Sequence, residues 1–201
     1  MSPLHESRLL HFLFVFWLVL LAAGFSYVVD YEFQPAELRE PPPDLPAEYP
    51  RAADEELHLL LLFAHPKCPC TRATVEELNR LMTACVERVE ARVHFFRPRD
   101  AADGWEHTDL FRAAESIPGV TALVDPGGEI AQRFGASTSG EVYLYSPAGE
   151  LRFRGGITAS RGHAGDNVGR HTIVELVRGG VAERDETPVF GCRLLDDCGG
   201  A

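Results

Sequence analysis

The chain has 201 residues, 45% hydrophobic and 24% charged, with 30 Asp and Glu against 19 Lys and Arg. That length suits one core-forming domain with an appendage. The formal charge of −11, with no basic run, argues against a nucleic-acid partner, because a phosphate backbone needs a basic face to neutralise it.

Leu9 to Val29 reads LLHFLFVFWLVLLAAGFSYVV, 21 residues without Asp, Glu, Lys or Arg. At about 1.5 Å per residue it spans a hydrocarbon core of about 30 Å. A soluble core helix would show a polar face, which His11 and Ser26 do not supply. A cleaved signal peptide has an apolar region of about 7–15 residues before a small-residue site. Here Ala22-Ala23-Gly24 is followed by further apolar residues, Phe25, Tyr27, Val28 and Val29. Residues 9–29 therefore read as an uncleaved transmembrane helix in a lipid bilayer, with residues 1–8 on the cytoplasmic side. Arg8 precedes the span while Asp30, Glu32 and Glu37 come after it. Positive charge is retained in the cytoplasm, so the remainder is expected on the periplasmic or extracytoplasmic face, held to the cytoplasmic membrane by a single pass.

Residues 30–54 change character: six of the 14 prolines fall between Pro35 and Pro50. Such a segment resists helix and sheet and reads as an extended, semi-rigid spacer. Residues 55–195 then alternate strand and helix signals. Leu57 to Ala64 is a nearly continuous apolar run, the pattern of a strand covered on both faces. After Cys68-Pro69-Cys70-Thr71 comes a helical stripe of Val75, Leu78, Leu81, Met82, Cys85, Val86 and Val89, with Glu76 and Arg80 as a supporting pair. Strands are predicted over 92–97 and 120–124, and short helices over 107–115 and 129–135. Residues 142–145 and 151–153 flank the turn Ser146-Pro147-Ala148-Gly149 as a hairpin. A Gly-rich loop over 155–169 leads to a last helix near 170–179, and 196–201 read as a flexible tail.

This order predicts an α/β fold, a mixed sheet flanked by helices, preceded by the transmembrane helix. An apolar strand running straight into a Pro-Cys pair that opens a helix resembles the thioredoxin-like superfamily over about residues 55–180. The segments His65-Pro66-Lys67-Cys68-Pro69-Cys70-Thr71 and Ser160-Arg161-Gly162-His163-Ala164-Gly165-Asp166-Asn167 resemble a bacterial family of membrane-anchored thioredoxin-like proteins labelled RedB. The superfamily spaces its cysteines by two residues. Aligned on Pro69-Cys70, Cys70 takes the second position, Lys67 falls where the first is expected, and Cys68 is one place out of register. Where the superfamily places a cis-proline, this chain has Thr138-Ser139-Gly140, and Gly140 accepts an unusual backbone without fixing it. Peroxide-reducing relatives carry Thr three residues before the reactive cysteine, where this chain has His65.

Five cysteines are present: Cys68, Cys70, Cys85, Cys192 and Cys198. Cys85 lies on the apolar stripe and reads as a small buried hydrophobe. Cys68 and Cys70 lie at a helix N-terminus, where unpaired N–H groups and the dipole stabilise a thiolate, and Pro69 suits the first helical position. The ammonium of Lys67, the only lysine, would lower the Cys68 thiol further. A Cys68–Cys70 bridge requires Cys68 to lie before the helix proper; alternatively Cys192 reaches back as the resolving thiol. In the fold implied by the resemblance, the loop before the last helix returns to the cysteine end of the sheet. There His163 would shuttle a proton, Arg161 hold a thiolate or an anion, and Asp166 orient His163; the plainer reading is a turn with Asp166 or Asn167 capping the helix.

Two readings stand. In one, the protein is a membrane-anchored thiol-disulfide oxidoreductase that acts on a protein thiol or disulfide partner and needs no cofactor. In the other, it binds copper through Cys68, Cys70 and His65 or His163. Neither GxxxxGKS/T nor GxGxxG after a strand is present, so no nucleotide site is expected.

Overall fold

The computed structural model describes residues 3–182 and 184–195. The tail expected over 196–201, with Cys198, lies outside the described residues. The elements in chain order are α1 (Pro3–Phe33), β1 (His58–Ala64), α2 (Pro69–Ala84), β2 (Val89–Arg97), α3 (Asp109–Glu115), β3 (Val120–Pro126), α4 (Glu129–Phe134), β4 (Glu141–Tyr145), β5 (Leu151–Gly155) and α5 (Val168–Val177). Two compact units divide them, the first ending at Gln34 and the second starting at Pro35.

The first unit is α1. Its apolar side chains run round the whole circumference, so it has no polar face to turn to water. Ser7–Phe33, 27 residues, is long and apolar enough to cross a membrane.

The second unit is built on one five-stranded sheet of order β3-β2-β1-β4-β5. β1, β2 and β3 pair in parallel, whereas β4 pairs antiparallel with β1 and β5 with β4. The central β1 explains its own sequence. Leu60, Leu62 and Ala64 face a core shared with Leu78 and Leu81 of α2 and Ile173 of α5. Leu59, Leu61 and Phe63 face a second core with Phe134, Tyr143 and Tyr145. With both faces covered, an unbroken apolar run is what burial selects. This is a thioredoxin-like fold, and the predicted elements fall within a few residues of the observed ones.

Three local expectations are corrected. The α2 stripe stops at Ala84; the left-handed Glu87 (φ 59°) turns the chain into β2, which leaves Val86 63% exposed and puts Val89 in the strand. Arg80 pairs with Glu77 at i, i+3, not with Glu76. The proline-rich stretch, expected as a spacer, is laid along the β4–β5 hairpin. Prolines lack an N–H but keep their carbonyls: Pro42 O accepts from the Tyr145 hydroxyl (3.0 Å) and Pro43 O from Leu151 N (2.8 Å). Leu45 N donates to Gly149 O (2.7 Å), and Tyr49 packs edge-on against Phe134 with centroids 5.1 Å apart.

Tyr49 also closes over a buried histidine. Its hydroxyl lies 2.7 Å from His94 Nε2, and the imidazole stacks on Phe63 at 5.4 Å. Burial, with the Arg92 charge adding to it, lowers the His94 pKa from 6.5 to about 4. Between those values the unfolded chain binds a proton that the folded chain refuses, so stability rises with pH across that window. As pH falls from 6.5 to about 4, this group should cost about 3 kcal/mol. Denaturant unfolding of the solubilised protein at stepped pH checks this, and His94→Phe is expected to flatten that part of the curve.

Candidate functional site

β1 delivers the chain to His65 at the edge of the cysteine motif, where a three-way polar knot fixes the backbone. His65 N donates to Ser139 Oγ (2.9 Å), Thr71 Oγ1 donates to His65 O (3.0 Å), and the Thr71 and Ser139 hydroxyls are 2.9 Å apart. The knot ties the end of β1, the first turn of α2 and the 137–140 loop to one another. Gly140 in that loop has φ 101°, a left-handed conformation that favours glycine, and donates from N to Phe63 O (2.8 Å). Pro69 opens α2, where a missing N–H costs nothing. Cys68 is the N-cap, with extended backbone (φ −81°, ψ 123°), so it precedes the helix proper while Cys70 lies in the first turn. Cys68 is fully buried and Cys70 nearly so.

A third thiol arrives from the far end of the chain. Residues 187–194 form an arm along the domain. Thr187 Oγ1 donates to Gly156 O (2.8 Å), and Val189 O accepts from Ala36 N (2.9 Å). The arm then pairs antiparallel with the loop: Ser139 N donates to Cys192 O and Leu194 N to Ser137 O, both 2.8 Å, with Thr138 and Arg193 as bridge partners. Arg161 Nη1 donates to Gly191 O. Close approach needs glycine here, because a Cβ on Gly191 would stand 1.9 Å from Ser139 O. The outcome is that the Sγ atoms of Cys68, Cys70 and Cys192 all lie within 4.8 Å of one another. Each is a free thiol, as is Cys85, which is buried in the core.

The cluster separates the thiols electrostatically. Hydrogen bonds from the Cys192 and Cys70 thiols hold the Cys68 pKa far below the ordinary thiol range, against the opposing effect of burial. Cys192 is pushed up, because it donates to Cys68 and Cys70, is desolvated, and faces their charge. At Cys70 the Cys192 hydrogen bond pulls down, but the Cys68 hydrogen bond, burial and the Cys68 charge together push up. Cys68 is therefore the first thiol to ionise, with the other two as proton donors to it.

The remaining predicted residues fall into different places. Lys67, expected beside the Cys68 thiol, is exposed with Nζ over the Trp105 ring at 4.0 Å. His65 is fully buried, stacked on Phe96 (5.7 Å) and edge-on to Trp105 (5.6 Å), and is not among the three clustered ligand groups. Arg161 does reach the site, through the arm carbonyl. His163 is exposed and also lies outside the cluster. Asp166 faces His171 (2.5 Å) and Arg170 (3.6 Å), so it does not orient His163. Asn167 caps α5, accepting from Arg170 N (2.8 Å).

Sequence reasoning missed Glu77. Its carboxylate is fully buried and accepts from Gly165 N (2.8 Å), Asn167 Nδ2 (3.0 Å), Arg170 Nε (2.8 Å) and Arg80. It fastens the 160–167 loop to α2. The only signal was a carboxylate on the buried side of the helical stripe.

No protein-family model matches the chain, and no curated protein matches it. Among solved structures, an uncharacterized conserved protein from Geobacillus kaustophilus matches with TM-score 0.60 at 18% identity, covering 84% of this chain and 95% of that one. The hypothetical protein SMc02350 from Sinorhizobium meliloti 1021 matches with TM-score 0.54 at 18% identity, covering 72% and 82%. A secreted Mycobacterium tuberculosis disulfide oxidoreductase, described as homologous to E. coli DsbE, gives TM-score 0.43 at 17% identity, covering 62% and 82%. Identities this low speak to the fold alone.

Gly191→Ala should force the arm off the loop at a cost of about 1–3 kcal/mol. Alkylation of Cys68 by a small electrophile, read by peptide mass spectrometry, is expected to accelerate in that variant while Cys85 stays protected.

Proposed function

We propose that the protein is a membrane-anchored thiol-disulfide oxidoreductase, with α1 as the anchor and the domain outside the cytoplasm. On this reading it belongs with the RedB-type proteins that its His65–Thr71 and Ser160–Asn167 segments resemble. The observation that carries the reading is the convergence of three free thiols at the start of α2, with Cys68 depressed and its neighbours raised. A thiolate is the nucleophile in disulfide exchange, so a thiol with a lowered pKa beside protonated partners is the arrangement the reaction requires.

The Cys68 thiolate attacks one sulfur of a partner protein's disulfide, forming a Cys68–partner mixed disulfide and expelling the partner's other sulfur as thiolate. Cys192 then gives up its proton and attacks Cys68 Sγ, which releases the second partner sulfur and leaves a Cys68–Cys192 disulfide. Two electrons pass from this protein to the partner; a dithiol reductant restores the pair, and the reverse sequence oxidises a partner dithiol. Cys192 is favoured over Cys70 as resolver because it is the leading hydrogen-bond donor to Cys68 and comes from a separate segment. Cys70, two residues from Cys68, would have to close a tight ring across the helix start.

Exchange with a dithiol or disulfide substrate, followed by thiol trapping and peptide mapping, tests the scheme. Cys68→Ser should lower the rate by on the order of a thousandfold or more, as loss of a nucleophile does. Cys192→Ser should accumulate the mixed disulfide on Cys68, whereas Cys70→Ser should still form a Cys68–Cys192 bridge. Absence of exchange in the wild-type protein with every dithiol substrate tried would overturn the reading.

A further inference from the structure

A disulfide needs two sulfurs, and this site gathers three. Their mutual separations stay within 4.8 Å, and among the described residues no other three ligand groups of His, Cys, Asp or Glu converge in this way. The three come from distinct backbone settings: the N-cap of α2, its first turn, and the arm paired to the 137–139 loop. They therefore surround a point instead of lining up along one element. A trigonal ion with metal–sulfur bonds of about 2.3 Å sets its sulfurs about 4 Å apart. Since no sulfur pair exceeds 4.8 Å, none has to close by more than about 1 Å to hold such an ion.

We propose that the reduced protein binds one copper(I) ion through Cys68, Cys70 and Cys192 Sγ, in a three-coordinate, all-sulfur site. Soft thiolates select soft copper(I). Zinc prefers a fourth ligand in a tetrahedron, and no imidazole or carboxylate among the described residues joins the cluster. Hard cations require oxygen donors, which the cluster lacks. Burial of Cys68 and Cys70 keeps competing water away from the ion. Each ligating thiol releases its proton to solvent and no electrons move, so three thiolates on a monovalent ion leave an excess of two negative charges. The N-terminal end of the 16-residue α2 faces that excess, and the Arg161 guanidinium lies one residue away at Gly191 O. This ligand set replaces the Cys68, Cys70 and histidine set expected from the sequence. Copper and an internal disulfide exclude one another, so the ion binds only the reduced form and blocks exchange while it is bound.

The test is an anaerobic titration of the full-length reduced protein, in detergent micelles, with copper(I) against a chromogenic copper(I) chelator, followed by X-ray absorption of the loaded protein. The expected result is one ion per chain with three sulfur scatterers at about 2.3 Å and no nitrogen. Cys192→Ser should weaken binding at least tenfold (about 1.4 kcal/mol), and His163→Ala should leave it unchanged. Binding no tighter than in a Cys68→Ser, Cys70→Ser double variant, two sulfur scatterers, a nitrogen scatterer, or displacement of the ion by zinc would each overturn the proposal. If Cys192→Ser fails to fold, the scatterer count on the wild-type protein decides alone.

Discussion

The site depends on one backbone contact: the antiparallel pairing of residues 192–194 with 137–139. Without it Cys192 has no fixed position and Cys68 loses its leading hydrogen-bond donor. Two features allow the contact. Gly191 leaves room where any side chain would collide with Ser139 O, and the hydroxyl knot among Ser139, Thr71 and His65 holds the loop against β1 and α2. A glycine on one strand and a serine on the other thus decide where a sulfur 124 positions further along the chain than Cys68 comes to rest.

The pKa of Cys68 shows which effect dominates at this helix end. From the sequence, the helix dipole and the Lys67 ammonium are the two effects expected to lower it. An exposed ammonium stacked on Trp105 is well screened and spends its charge on an aromatic face. Thiol donors in contact with Cys68 act at hydrogen-bond range in a water-poor site, where such bonds strengthen. Burial alone would raise this thiol, as it does at Cys85. The sign at Cys68 is reversed because two thiol donors hydrogen-bond to it.

The range of each interaction decides whether it was legible in the sequence. β1 could be read because a strand covered on both faces leaves a local mark, six successive buried residues from Leu59 to Ala64. The helix start at Pro69 and the hairpin turn at 146–149 are likewise local chemistry. Cys192 could be suspected but not placed, since its position depends on pairing across 53 residues with Ser139. The proline-rich stretch misled because proline predicts what a segment does on its own; its free carbonyls found donors at Tyr145 and Leu151. Glu77 stayed hidden because its four donors come from α2, the 160–167 loop and α5, and no spacing rule links them.

Burial and reactivity pull against each other at Cys68. Exchange requires a partner sulfur to approach along the breaking S–S axis, and a fully buried thiol offers no such path. Something must move, and the structure ranks the candidates. α2 is locked by the core through Leu78 and Leu81 and by the buried Glu77 network, and the 137–140 loop by the hydroxyl knot and by Gly140 N on Phe63 O. The arm beyond Gly191 is held by two backbone hydrogen bonds, the Arg161 contact and the burial of Leu194. At about 1 kcal/mol net per hydrogen bond, its release costs far less than unfolding the domain. The element that carries the third thiol is therefore also the least firmly held of those around Cys68. Closed, it supplies the donor that lowers the Cys68 pKa, so any opening weakens the thiolate as the arm leaves.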